Sequence, residues 1–481
     1  MIITPRRHPL MLAMLAAWSL APAVGAQPAP PVAGAPTPSP ATSLPVVWQE
    51  AGSAPRTAAA PWWQDFADPA LDALVVQALA AGPDLAAAQA RIDQAQAAAR
   101  AAGAGRLPGG TVNGTLARTE QSLQSGLGQV TRFVPTIRRT QDFAAINATL
   151  GWDLDLGGGL RQSARAARAD LTAARAALAA ARLALASEVV GQYLALRETE
   201  ALTQIVAAQR EDAAARLRYA ELRLARGDVA ARERDDRQRD LAAVDAQLPL
   251  LAAQAKAARH ALAVLTGRAA GSVLPELAAA PARSGQVPLA TDPAAGIPAE
   301  LLRARPDLVV AEARIVGAQA RVKAALGEYW PRFTLGGLLG FESNSLASFG
   351  GPASRTTQGF LGLRWRLFDF ARINAEVAAA RGAERETLAA YRDAVLRAGE
   401  QVESAFALAA GRRAALAAQD QRRAAADAGL DRARAAHRMG EISDDQLRGE
   451  SLFHAAIVAD QLAARRALAD AVVQCRKALG G

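Results

Sequence analysis

One cysteine, three lysines, four histidines and 5% aromatic residues are few for a chain of 481. Each shortage excludes something. A lone Cys475 cannot form an internal disulfide. The histidines (His8, His260, His437 and His454) include no close pair at metal-ligand spacing. His437, beside Met439, reads as a surface residue rather than a ligand. There is no HExxH, no glycine-rich phosphate loop and no GxSxG nucleophile turn, so neither an enzyme nor a cofactor is expected. The net charge is +9, but the arginines are scattered among 46 acids without a dense basic block, so nucleic acid is not an expected partner. Beyond the N-terminus no run of 18 uncharged apolar residues occurs, which leaves no transmembrane helix to expect.

What is present is alanine, leucine and arginine. Hydrophobic residues reach 51% with so few aromatics that the chain leans strongly helical. At the N-terminus Arg6, Arg7 and His8 precede an apolar run from Leu10 to Leu20, which ends in Val24-Gly25-Ala26. That is a signal peptide over 1–26, so the protein is exported and the mature chain starts at Gln27. No cysteine follows the apolar run, so no lipid attachment is expected. Residues 27–82 form a Pro/Ala-rich segment that includes "PWWQDF", with Trp62, Trp63 and Phe66 as its anchors.

The chain repeats itself. "GPDLAAAQARI" near residue 83 returns as "RPDLVVAEARI" near 306. Pro83 pairs with Pro306, Ile92 with Ile315 and Pro108 with Pro331, all 223 residues apart. Trp152 pairs with Trp365, Gly227 with Gly440 and Gly267 with Gly480, all 213 apart. A constant offset that steps once indicates a duplication with a ten-residue length difference between Pro108 and Trp152. The first repeat is read as 83–266 and the second as 306–481, joined by a linker over 267–305.

Each repeat opens with a helix begun by Pro-Asp, as N-terminal helix rules favour. The period then switches to two. Ala148, Leu150, Trp152, Leu154 and Leu156 alternate with polar residues or glycine, as do Leu361, Leu363, Trp365 and Leu367. Such stripes predict transmembrane β-hairpins over 111–156 and 332–368, with Gly/Ser-rich loops at 122–141 and 343–357. Long helices follow at 161–226 and 371–439, each ended by a glycine suited to a left-handed cap, Gly227 or Gly440. Return helices are expected at 228–266 and 441–478. The lengths predict that 371–439 runs beside 228–266 and 306–330 stacked end to end. Four strands cannot close a barrel, and an open edge is not tolerated in lipid. Two copies would give eight strands and three would give twelve. The expected fold is a mixed α+β membrane protein, an oligomeric tube with a β-barrel at one end and antiparallel helices at the other.

"W..F.DP.L" (Trp63 to Leu71), "IPAELLRARPDLVVAEARI", "GEYWPRFTLGGLLGF" and the two glycine turns resemble the outer-membrane efflux protein family, the TolC-like and OprM-like exit ducts, here of NodT type. The resemblance covers nearly the whole mature chain. It implies a homotrimer with a 12-stranded barrel in outer-membrane lipid and a periplasmic α-barrel. It also implies partners, a periplasmic adaptor docking at the Gly227 and Gly440 turns and an inner-membrane pump of the resistance-nodulation-division type. The implied function is the passive exit duct of a tripartite efflux system. The alternatives are the duct of a type I protein secretion system or, in a different class, a periplasmic helical scaffold without a pore. Family members commonly carry a lipidated cysteine that this chain lacks.

In the family, acidic rings on the second repeat's tip narrow the periplasmic entrance. Glu441, Asp444 and Asp445 occupy that place, with Asp228 as the first repeat's counterpart. The plainer reading is that such acids cap a helix N-terminus. "RERDDRQRD" (Arg232 to Asp240) reads as a solvated helix face, and Arg305-Pro306-Asp307 as a helix start. Intact-mass spectrometry of membrane-extracted protein should give a chain beginning at Gln27 without a diacylglycerol increment. An acylated mass would show that the start was misread.

Overall fold

A computed structural model describes residues 48–49, 61–124, 129, 139–279, 287–291, 293, 298, 300 and 305–481. The expected signal peptide lies outside them, as do the rest of the segment before residue 61, most of the 122–141 loop and much of the linker.

After a 3-10 turn at Trp62–Phe66, two short helices, α1 (Pro69–Ala81) and α2 (Pro83–Ala104), lead into strands β1 (Gly109–Glu120) and β2 (Thr140–Asp153). Helix α3 (Gly159–Ala225) follows, then α4 (Ala231–Asp245), α5 (Gln247–Leu265) and the short α6 (Pro275–Ala279). The same order returns in α7 (Pro306–Leu326), β3 (Arg332–Ser343), β4 (Arg355–Arg364), α8 (Phe370–Arg438) and α9 (Asp444–Ala478). The strands form one antiparallel sheet in the order β1-β2-β3-β4. Helix α3 is the hub: it packs against α1, α2, α4, α5, α7 and α9, whereas α8 packs against α7 and α9. Pro69–Ala104 is apolar enough to cross a membrane by composition. It is nevertheless split at Gly82, and both parts pack against α3.

The helix ends follow from a few residues. Gly227, Gly267, Gly440 and Gly480 all take φ between 76° and 88°. In each case the residue after the glycine donates its N–H back five residues, as Asp228 does to the Arg223 carbonyl and Glu441 to Ala436, both at 2.9 Å. Those bonds satisfy carbonyls that a helix end otherwise leaves bare. At the start of α3, Asp155 sits at φ 46° and its two carboxylate oxygens accept the Leu160 and Arg161 amides, both at 2.8 Å. Ser443 and Gln446 cap α9 reciprocally.

The structure differs from the sequence expectation in three places. The return helix 228–266 is broken at Ala246, because Pro249 has no N–H to donate to the Asp245 carbonyl. Within the chain the 371–439 helix, α8, runs beside 306–326 as expected, but its other neighbour is α9, and the helix flanked by both 231–265 and 306–326 is α3. Strands β2 and β4 stop at Asp153 and Arg364, short of Leu156 and Leu367. There the left-handed Asp155 turns the chain out of the first hairpin, and the Trp365 indole is held by a carbonyl before the helix starts.

The largest buried cluster joins Trp62, Phe66, Leu71, Leu74 and Val75 to Val189, Tyr193, Leu194 and Leu262. Asp68, the N-cap of α1, is tied into it. One of its oxygens accepts the Ala70 and Leu71 amides and the other accepts the Tyr193 hydroxyl at 2.6 Å. That hydroxyl accepts Arg197 Nε at 2.8 Å, Arg197 reaches Glu200, and Glu200 reaches Arg259 on α5. Burial, helped by the Asp68 bond, pushes the Tyr193 phenol well above its ordinary range, so it stays a neutral donor. In the second half Arg305, 7% exposed, plays the joining part. Its guanidinium grips both oxygens of Asp307 and donates to the Ala478 carbonyl and to Gln401. At the matching place in the first half Gly82 leaves no room for a side chain: a Cβ there would lie 2.6 Å from the Ala78 carbonyl of its own preceding turn and 2.7 Å from the Leu185 side chain of α3.

Replacing Tyr193 with Phe removes the hydroxyl from a buried chain and leaves Asp68 and Arg197 short of a partner. The expected loss is about 1–3 kcal/mol, read by thermal unfolding in detergent. Tyr391→Phe, whose hydroxyl has no partner among the described residues, should change stability far less. Equal effects of the two would refute a stabilising role for the chain of bonds.

Candidate functional site

Two regions concentrate the unusual chemistry: the sheet, and the turns at the far ends of α3 and α8.

The register fixes the sheet's faces. Val112 stands opposite Ala148, which stands opposite Leu339; Trp152 faces Leu335, and Leu335 faces Leu361. With Leu116, Ile146, Leu150 and Leu363 they make one continuous apolar face, and these large side chains are well exposed. In water such a face would be an association hazard. The opposite face carries Thr111, Asn113, Asn147, Thr149, Thr334, Thr356 and Gln358, with Arg332 opposite Arg364 at one end. Strands β1 and β4 each have one edge with no pairing partner among the described residues.

Aromatic residues gather where the sheet meets the helices. The Trp152 indole donates to the Arg106 carbonyl at 3.0 Å, and the Trp365 indole to the Tyr329 carbonyl at 3.1 Å. These two bonds occupy matching positions in the two halves. Phe368 is 99% exposed and Trp330 65%. Rings with an apolar body and one polar contact suit a membrane–water boundary.

At the other end Gly227 and Gly440 turn the chain. Asp228 lies in the first turn, and its carboxylate is exposed, with no partner among the described residues. Glu441 in the second turn is likewise exposed and unpaired among them. Asp444 and Asp445 are both engaged. Asp445 accepts Arg216 Nε at 2.8 Å, and the pair is 15% and 21% exposed. Asp444 accepts Arg448 Nε at 2.7 Å, and Arg448 also donates to Asp212 at 2.8 Å. Helices α3 and α9 run in opposite directions, so Asp212 meets Arg448 while Arg216 meets Asp445. The two contacts form a crossed ladder that binds the second turn to α3. The Arg232–Asp240 run pairs largely within itself (Arg234–Asp235, Arg237–Asp240, Arg239–Asp236), as a solvated face does.

Asp212, Arg216 and Arg448 were not singled out from the sequence. Asp212 and Arg216 are four residues apart on one helix, a spacing usually satisfied within that helix. Antiparallel partners on α9, more than 200 residues away, are the only hint, and that needs the helix pairing first.

A family model described as "outer membrane efflux protein" matches residues 74–268 and 297–481. The pyoverdine export outer membrane protein OpmQ of Pseudomonas aeruginosa is 31% identical over 396 residues, covering 82% of this chain and 80% of that protein. Nodulation protein T of Rhizobium leguminosarum bv. trifolii is 27% identical over 352 residues, covering 72% and 71%. The solved outer-membrane channel OprN superposes with a TM-score of 0.78 at 26% identity, over 91% of this chain and 96% of that one.

If the ladder holds the second turn, Arg216→Gln and Asp445→Asn should not add. Hydrogen exchange of the α3 and α9 amides near the turn should give a coupling of about 1 kcal/mol at low salt, shrinking as salt rises. Additive effects would mean that the two side chains are neighbours without coupling.

Proposed function

The chain belongs to the outer membrane efflux protein family, and from that premise we propose that three copies form a passive exit duct leading from the periplasm to the exterior. The observation that carries this reading is the sheet: apolar on one face, polar on the other, and open at both edges. In lipid each unpaired backbone group costs several kcal/mol, so β1 of one copy must take β4 of the next. The apolar face then meets outer-membrane lipid and the polar face lines the lumen, which twelve strands leave open.

The duct has no energy source of its own, and we infer no catalytic role. It serves a pump of the resistance-nodulation-division type through a periplasmic adaptor, which docks on the turns at Gly227 and Gly440. Duct service for a type I secretion system would use the same architecture. The relatives' names divide between pyoverdine export and nodulation, which accords with cargo choice lying in the pump. Ancient duplication explains the two-fold element order, and the two stretches matched by one family model support it.

At the periplasmic entrance we place Glu441, Asp444 and Asp445, with Asp228 a lesser contributor. Threefold symmetry crowds their carboxylates near one axis, where they attract cations. The arginines that hold Asp444 and Asp445 also keep these acids from pushing the tips apart.

The purified protein should conduct in planar bilayers. Hexaamminecobalt(III) on the periplasmic side should block it at low salt and less at high salt, where screening weakens the field. The variant Glu441→Gln/Asp444→Asn/Asp445→Asn should lose the block. A non-conducting monomer refutes the duct, and block equal to the parent's in this variant moves the constriction elsewhere.

A further inference from the structure

We propose that the lumen-facing side of the β3–β4 hairpin binds planar aromatic anions, through Phe360 and Arg364 over a floor of glycine. The proposal rests on the duct reading, which turns this face of the sheet toward the lumen.

That face also carries Leu338, Phe143, Glu342, Asp153 and Arg332, but Phe360 and Arg364 stand out as an aromatic ring and an unpaired guanidinium close together on one strand. Phe360 shares the parity of Thr356, Gln358 and Arg364, so its ring is on the wet side. Its row across the sheet is otherwise bare: Phe360 stands opposite Gly336, Gly336 opposite Gly151, and Gly151 opposite Gly109. A Cβ on Gly336 would lie 2.2 Å from Phe360 Cζ, and one on Gly362 would lie 3.9 Å from Cε2. The ring is therefore laid down over the backbone of β3 and leans toward Gly362. One of its faces is packed on glycine, and the side chain is 48% exposed. A phenylalanine placed only for burial would not sit in this row, and the glycines would not be needed if its ring stood upright.

Arg364 follows on the same face with only Gly362 between. It is exposed and has no partner among the described residues. Its neighbours are spoken for: Arg332, directly opposite, is bound by Glu328, and Arg366 by Asp369 and Glu376. Like charges in register across strands are unfavourable, so an arginine left free there is a poor choice for stability alone. The nearest lumen-facing acid in register, Asp153, is on β2 with β3 between, and it accepts the Asp155 amide at 3.0 Å. Nothing in that arrangement neutralises Arg364.

The two groups recognise different halves of one ligand class. A flat ring with an open face stacks planar apolar surface. A free guanidinium grips carboxylate or sulfonate in a forked geometry that an ammonium cannot match. Four residues separate their Cα atoms, roughly 14 Å along a strand. The ring leans into that gap, and the arginine stem is long enough to reach back across it. The remaining span fits a fused bicyclic system with an acid at its edge. Three such sites, related by the threefold axis, would ring the lumen near the end of the barrel that joins the helices.

The test uses the whole protein in planar bilayers with 2-naphthalenesulfonate added on the extracellular side, which avoids the periplasmic entrance. Transient current blockade is expected, with methanesulfonate and naphthylmethylammonium giving none at the same concentration. Phe360→Ala and Arg364→Gln should each weaken the blockade by about tenfold, measured against each variant's own unblocked current. Arg364→Gln changes one exposed side chain, so it decides the matter even where loss of the ring disturbs assembly. Blockade unchanged in Arg364→Gln, or produced equally by the cation or by methanesulfonate, overturns the site. A parent protein that does not conduct overturns the duct instead.

Discussion

Everything in this molecule answers to the backbone groups along the outer edges of β1 and β4. Water could satisfy them; hydrocarbon cannot. A single chain with four strands is thus incomplete in a membrane, and the unit that satisfies the constraint is a ring of chains. Once a ring is required, the helices inherit its geometry. They pack side by side around a circumference rather than around a solitary core, which suits long Ala-rich faces that approach closely. It also accounts for apolar side chains that would be misplaced on a water-soluble protein and are in place against lipid.

The two halves follow one plan with different chemistry at corresponding points. The glycine turns and the tryptophan-to-carbonyl bonds are the same in both. Elsewhere they diverge. The tight corner at Gly82, closed by the Leu185 side chain, becomes the four-way Arg305 clamp, and the left-handed Asp155 cap of α3 has Phe368 at its counterpart in sequence. At the tip, an acid of the second half, Asp445, pairs with Arg216 on α3. What is kept sets chain direction and depth in the membrane, which both halves must share. What differs lies where a half meets a different neighbour.

Much of this was legible in the sequence because it is periodic or punctuated. Alternation marks the strands, glycine and proline mark the turns, and a fixed offset marks the repeat. The limits were equally physical. Strand ends depended on Asp155 adopting a conformation rare for its type, and on an indole finding a carbonyl. The break at Ala246 was readable from Pro249 but was masked by the strong helical composition around it. Helix neighbours could not be read at all: lengths alone fit α3 and α8 equally well, and only packing selects α3 as the hub. The tip acids were found by position, whereas their arginine partners on α3 and α9 emerged only from that packing. Phe360 gives no signal of this kind, because its parity opposes that of the leucines beside it.

Helices α3 and α8 are 67 and 69 residues long, so each is a rod of roughly 100 Å at about 1.5 Å per residue. Each is fixed at its sheet end by indoles, caps and strand pairing, and is flanked along its length by other helices, α3 by six of them and α8 by α7 and α9. A bundle held that way is a lever. Tilting it by about 5° at the sheet would sweep the tip through roughly 9 Å on that length. Spread over the many turns of each helix, that angle strains no single hydrogen bond appreciably. The sheet end can stay in its bilayer while the tip end moves by more than the width of a side chain.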